Sequence, residues 1–428
     1  MPKKQLLRLF TIAALLFSFS APAQVVVVQT NIAKQNPTVD YKRLARIDTV
    51  LNEYIKKDWV KGIVTIVIKD NQVVQYKGYG YADAETQKPM ANNTIFRIMS
   101  QTKGIVSAGA MMLHEEAKFL LDQPIADFIP EFRRPVVIAS FNKKDSTYTT
   151  VPAKREITFR DLLTHTSGIG YAGIGTDTMN AIYAKANIPS GLGHIDMTLL
   201  DAVKTLAKQP LAFQPGERWM YGLSVDVLGC LIEVISGMSL EDYLTKKIFA
   251  PLGMKDTYFN LPKDKFNRLA TVYTENPPGT IIKWSHTFRG IDPDYPMMGT
   301  HFFSGGAGLS STAFDYAIFL QMLLNGGIYN GTRILSPRSI ELMTQNQIGN
   351  LSIGKDKFGL GFQITTAEGA ATGAKSKGSF AWGGYYGTTY WADPEKNMVC
   401  LIMTQHTPNS HGDLSKKFEV LVYQALKK

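Results

Sequence analysis

The stretch Thr94-Ile95-Phe96-Arg97-Ile98-Met99-Ser100-Gln101-Thr102-Lys103 runs from a β-prone segment into an apolar helical one. The run from Ile105 to Phe119 carries apolar and small residues before polar Glu115, Glu116 and Lys118, and predicts a helix. Three residues apart on a helix, Ser100 and Lys103 would share one face about a turn apart. A serine hydroxyl is a weak nucleophile that needs a neighbouring base, and a desolvated lysine can supply one. The spacing alone says little, because Ser140-Phe141-Asn142-Lys143 and Ser352-Ile353-Gly354-Lys355 match it as well. Ser140 falls in a polar loop and Ser352 in a Gly- and Lys-rich turn. Only Ser100 stands at a strand–helix junction, where backbone N–H groups and the positive end of a helix favour an anion.

Outward from this junction, strands are expected at both ends of the chain. GIVTIVIK from Gly62 and QVVQYKGYGYA from Gln72 flank Asp70-Asn71 and read as an antiparallel hairpin. GLGFQI, SFAWGG, TTYWAD and MVCLIMTQ are β-rich, with Asp393-Pro394-Glu395 as a turn, and Leu414 to Leu426 closes the chain as a helix. Between them the chain reads as mostly helical. Ser224 to Ile235 ends at Gly237, Ser239 with Asp242 forms a capping box, and Thr312 to Leu324 ends at Gly326-Gly327. The expected class is α/β: one sheet built from both ends of the chain, flanked by helices, with a long helical insertion and a cleft between two lobes. The expected divisions are a signal segment over 1–23, a lead-in over 24–40 and one catalytic domain over 41–428. Within that domain, 41–104 and 350–428 form the sheet lobe and 105–349 the helical lobe.

Two further pieces could carry chemistry. Phe213-Gln214-Pro215-Gly216-Glu217-Arg218-Trp219-Met220-Tyr221 turns at Pro-Gly and places Tyr221 at a loop–helix junction, where its phenol could face a cleft. Taken alone, an ordinary half-buried tyrosine is the better reading. Trp382-Gly383-Gly384-Tyr385-Tyr386-Gly387 sets paired glycines inside a strand, which marks a close backbone or ligand approach, or else a bend. Gly168-Ile169-Gly170-Tyr171-Ala172-Gly173 fits a dinucleotide-binding pattern, but no strand precedes it. His114-Glu115-Glu116 lacks a second metal-spaced histidine, and no G-x-S-x-G elbow occurs.

The chain has 428 residues, 46 basic against 36 acidic, for a formal charge of +10. Its positives are scattered pairs such as Lys56-Lys57 and Lys246-Lys247, which argues for a solvated surface and against nucleic-acid binding. The start, MPKKQLLRLFTIAALLFSFSAPAQ, joins positive residues, a short apolar run and Ala21-Pro22-Ala23, the pattern of an export signal. That run is too short to span a bilayer comfortably, so a periplasmic or secreted protein without stable membrane insertion is expected. Removing Lys3, Lys4 and Arg8 from the 46 basic residues leaves 43 against 36 acidic, a formal +7. Cys230 and Cys400 both lie in apolar runs, where free buried thiols are common; a single disulfide between them is the second reading.

Taken in order, these pieces resemble the serine β-lactamase and penicillin-binding superfamily, and most closely its class C-like branch with the family VIII esterases. The supporting stretches are Ile98 to Lys103, Asp161-Leu162-Leu163-Thr164-His165-Thr166-Ser167-Gly168, Pro215-Gly216 through Tyr221, Pro251-Leu252-Gly253-Met254, Gly305-Gly306-Ala307-Gly308-Leu309-Ser310-Ser311 and Trp382-Gly383-Gly384. The resemblance covers nearly all of residues 45–425. It implies a β-lactamase/transpeptidase-like fold and an acyl-enzyme on Ser100, with Lys103 and Tyr221 sharing proton transfer. It also implies an oxyanion hole from the N–H groups of Ser100 and Tyr385. His165 would be structural. No metal or organic cofactor is implied, and the partner is a small acyl or ester substrate. Two departures bear on that substrate. Tyr221-Gly222-Leu223 stands where β-lactamases of the branch have Tyr-x-Asn, and Trp382-Gly383-Gly384 stands where they have Lys-Thr-Gly. Both resemble the esterases, and make Leu223, Trp382, Gly383, Gly384 and Tyr386 the expected substrate contacts. Nearby Lys375 and Lys377 leave a shifted alignment open. The rival readings are a β-lactamase or D-amino-acid peptidase of the superfamily, and a non-catalytic binding protein on its scaffold.

Overall fold

The computed structural model describes residues 36–285 and 291–427, together with Val28. The expected signal segment lies outside the described residues. An eight-stranded antiparallel sheet organises the molecule, and it draws strands from both ends of the chain. From the N-terminal side come β1 (Gly62–Lys69), β2 (Gln72–Asp83) and β3 (Lys88–Pro89). From the C-terminal side come β4 (Lys357–Phe358), β5 (Gln363–Ile364), β6 (Phe380–Gly383), β7 (Thr389–Asp393) and β8 (Met398–Met403). Their spatial order is β4-β5-β6-β7-β8-β1-β2-β3, so β1 and β8 join the two ends at the centre, with Ile66 opposite Leu401.

Successive side chains of a strand point to opposite faces, and here both faces are covered. Val64, Ile66 and Ile68 of β1 join Val399, Leu401 and Met403 of β8 in the large core beneath the helical region. Ile63 and Val67 join Met398, Cys400 and Ile402 on the other face. There, helix α1 (Arg46–Lys56) contributes Ile47, Leu51 and Tyr54, and the last helix, Leu414–Tyr423, contributes Leu414, Phe418 and Val422. Spacings of three and four residues keep each set on one helix face. The last helix is shorter than its apolar sequence suggests, ending at Tyr423. Cys400 lies on this face and Cys230 in the opposite core, and both are free and buried.

The large core is built around α2 (Thr102–Glu115), α3 (Phe159–Thr164), α4 (Ser224–Ser236) and α5 (Ala313–Leu324). Thr312 caps α5 by accepting the Asp315 N–H, and Ser239 accepts the Asp242 N–H at the start of the helix Leu240–Leu244. The middle of the chain is less helical than its apolar runs suggest. It carries an exposed hairpin, Val136–Phe141 with Tyr148–Pro152, and a second, Tyr273–Glu275 with Ile281–Lys283. Among the described residues, no helix is long and apolar enough to cross a membrane.

Candidate active site

Ser100 lies in a single 3-10 turn, Met99–Gln101, between the short strand Phe96–Arg97 and α2. Met99 takes the left-handed region at φ 49°, an uncommon conformation for a side chain of that size, and its side chain is wholly buried. The turn is held from a distant segment. Phe96 and Arg97 pair with Ser311 and Ser310, the Ile98 N–H donates to the Leu309 carbonyl (3.0 Å), and the Leu309 N–H donates to Thr102 Oγ1 (3.1 Å). The Gly305 to Ser311 stretch is therefore the wall against which the Ser100 turn is built.

One helical turn on, Lys103 is almost wholly buried. Its Nζ donates to Ser100 Oγ at 3.3 Å and to the Gly306 carbonyl at 2.8 Å. The same ammonium lies 4.6 Å from the Tyr221 ring centre and 5.6 Å from that of Tyr171. Tyr221 reaches this point because residues 216–223 run beside 165–170: the Met220 N–H donates to the His165 carbonyl and the Leu223 N–H to Gly170. His165 ends α3 in the left-handed region at φ 57°, fully buried, its ring 4.9 Å from that of Tyr221. Burial, aided by the Lys103 charge, pushes its pKa well below the usual histidine value, so it packs as a neutral ring.

From the other side, β6 brings Trp382, whose Nε1 donates to Tyr221 Oη at 3.4 Å, the rings 5.4 Å apart. Gly384 follows, its N–H donating to the Thr388 carbonyl at 2.7 Å. A Cβ at Gly384 would come closer than 3.0 Å to both the Ile98 carbonyl oxygen and Thr388 Oγ1. The second glycine is a close approach of the strand end to the Ser100 turn, and this sets where Tyr385 stands.

These residues border a cavity of about 490 Å³ that takes in Ser100, Tyr221, Trp382, Gly383 and Tyr385. Three expected substrate contacts do not line it, Gly384 among them, since it packs against the Ile98 carbonyl and Thr388. Leu223 precedes the first turn of α4 and is buried in the large core, and Tyr386, in the turn that follows β6, is fully buried against Trp284. Ser224 is likewise buried, its hydroxyl paired with Ser167 (2.9 Å). The competing serines stand apart from any such arrangement. Ser140 is exposed on a hairpin strand beside Thr149, and Ser352 is exposed.

The cavity also holds residues that the sequence reading passed over. Tyr171 comes from the glycine-rich stretch whose pattern had been weighed only for phosphate, and burial pushes its phenol well above the usual tyrosine value. Gln363 and Thr389 line the wall as well, and so does Lys375, already singled out in the sequence, with its Nζ 3.7 Å from Glu419 Oε2. A cation does border the site, supplied by a loop and not by β6. Among the described residues, no cluster of side chains suits a metal ion.

Residues 47–424 match the Beta-lactamase family. An uncharacterized protein of Mycobacterium tuberculosis is 33% identical over 369 residues, covering 83% of this chain and 88% of its own. Esterase EstB of Burkholderia gladioli is 28% identical over 383 residues, 84% of this chain and 90% of its own. Among solved structures, EstCE1, described as a hydrolase with promiscuous acyltransferase activity, superposes with a TM-score of 0.76 at 25% identity, covering 89% of this chain and 99% of its own.

Proposed function

We propose a function from one premise: the chain belongs to the Beta-lactamase family and is a serine hydrolase of the β-lactamase/transpeptidase-like fold. Our reading is that it hydrolyses a carboxylic ester, or transfers its acyl group, through an acyl-enzyme on Ser100. The carrying observation is the placement of Lys103 Nζ, 3.3 Å from Ser100 Oγ and 4.6 Å from the Tyr221 ring centre, at a cavity open to a small substrate. EstB and EstCE1, named as an esterase and a hydrolase with acyltransferase activity, support the same class.

Ser100 Oγ attacks the ester carbonyl carbon as its proton passes to the Lys103–Tyr221 pair. The N–H groups of Ser100 and Tyr385 receive the developing oxyanion. Collapse breaks the carbon–alkoxide bond, the pair returns the proton to the departing alcohol, and the acyl group stays on Ser100. Water, or a second alcohol, then attacks the acyl carbon and the same proton path runs again. Trp382, Tyr171 and Tyr221 give the substrate an aromatic wall, and an uncharged ester suits it.

Lys375 favours a second reading. A substrate bearing a carboxylate, as β-lactams and D-amino-acid peptides do, could reach that ammonium in competition with Glu419. The chain's positively charged start supports export, with a mature protein beginning near Gln24; N-terminal sequencing of secreted material that finds Met1 would refute this. Fluorophosphonate labelling tests the central assignment. Ser100→Ala should abolish it while Ser140→Ala and Ser352→Ala label normally, and a labelled Ser100→Ala would overturn the mechanism.

A further inference from the structure

A single short segment bears on Lys103 twice, once directly and once by way of Gly306. Its loop part supplies Tyr221, and the first turn of α4, five residues on, supplies Asp226. Asp226 is almost fully buried. Its Oδ1 accepts from Ser304 Oγ at 2.6 Å and from the Gly306 N–H at 3.1 Å. The carbonyl of that same Gly306 accepts from Lys103 Nζ at 2.8 Å. Residue 306 is thereby held at its N–H by Asp226 and, through its C=O, holds the lysine beside Ser100. No side chain fits between: a Cβ at Gly306 would come closer than 3.0 Å to Asp226 Oδ2. Ser304 is tied in from the other side, because its Oγ also accepts the Ala307 N–H (3.1 Å).

Among the described residues, Asp226 Oδ2 has no hydrogen-bond partner. A carboxylate kept in the interior with half its acceptors unused is costly unless a charge lies near. The Lys103 ammonium is the cation whose field acts on it: burial raises the Asp226 pKa above the ordinary carboxylate value, and Lys103, Ser304 and Gly306 offset only part of that rise. Asp226 touches neither Ser100 nor the cavity that Ser100 lines.

We propose that Asp226 is a positioning residue for the reaction, which fixes the Gly306 peptide and balances the Lys103 charge so that Nζ stays within reach of Ser100 Oγ. This rests on the reading of Lys103 as part of the proton path. A loosened lysine weakens the transition state more than it weakens substrate binding, since binding uses the cavity wall. The expected signature is a loss in kcat with KM nearly unchanged.

The test is Asp226→Asn, which keeps the size and one acceptor oxygen but removes the charge. Steady-state turnover of a short aryl ester should lose about tenfold to a hundredfold in kcat while KM stays within about threefold, as expected for a group felt mainly in the transition state. Thermal unfolding reports whether the variant is folded. If it is not, Ser304→Ala carries the test: it removes one donor to Oδ1 without touching the charge, and should lower kcat by about threefold to tenfold, the size of one modest hydrogen bond. A folded Asp226→Asn with kcat within about twofold of wild type, or a loss confined to KM, would overturn the proposal. So would wild-type kcat in Ser304→Ala where Asp226→Asn does not fold. Failure of the underlying reading looks different: Lys103→Ala would then turn over at the wild-type rate, whereas an inactive Lys103→Ala beside a fully active Asp226→Asn refutes the positioning role alone.

Discussion

Gly384→Ala should disable the site without placing any atom in the cavity. The added methyl would lie closer than 3.0 Å to the Ile98 carbonyl oxygen and to Thr388 Oγ1, whereas ordinary contact begins near 3.4 Å. Thr388 can swing its hydroxyl away, but Ile98 is backbone, two residues before Ser100 and held by its own hydrogen bond to Leu309. The strand end must therefore retreat from the Ser100 turn by something on the order of 1 Å, a misplacement that can cost about a hundredfold in rate. Loss of one oxyanion donor costs about the same, a hundredfold to a thousandfold. A fall of about a hundredfold in kcat/KM corresponds to about 2.7 kcal/mol of transition-state stabilisation. At Gly383 the added methyl meets the Thr388 carbonyl at 3.1 Å and Thr389 Oγ1 at an ordinary 3.8 Å, so Gly383→Ala should cost less than about tenfold, a few tenths of an ångström being enough to relieve it. The assay is kcat/KM on a short-chain aryl ester for both variants, with thermal unfolding to confirm that each is folded. A folded Gly384→Ala within about threefold of wild type would refute both the close approach and the oxyanion role of Tyr385, because neither tolerates a shift of that size.

Lys103→Ala, Tyr221→Phe and the double variant should show similar, severe losses of kcat, as groups acting as one unit do; losses that multiply would argue for independent roles. Esters should be preferred over β-lactams: leaving a carboxylate poorly paired costs roughly a hundredfold in kcat/KM. Comparing an aryl ester with a chromogenic cephalosporin checks this, and cephalosporin turnover equal to ester turnover would refute it. Trp382→Lys should narrow the gap, and Lys375→Ala should widen it if the loop lysine already serves that carboxylate.

Local rules made much of this protein legible before any fold was known. Three-residue spacing on a helix is enough to place Ser100 and Lys103 together, and the β-branched and apolar runs Gly62–Lys69 and Met398–Met403 are enough to predict strands. The capping pair Ser239 and Asp242 reads equally well, because its bond spans only three residues. Such relations depend on backbone geometry within one element, which sequence spacing sets directly.

Tertiary structure decided which side chains meet across elements. Lys103 finds its acceptor at Gly306, 203 residues away, and Trp382 finds Tyr221 across 161. No periodicity encodes either meeting, since each follows from how α2, α4 and β6 dock on a shared core. The same docking turned Leu223 and Tyr386 inward and opened the cavity to Tyr171 and Lys375. Whether a residue next to a motif faces ligand or core depends on the last tens of degrees of loop direction. Those are fixed by long-range packing, such as residues 165–170 lying along 216–223, and not by the motif itself.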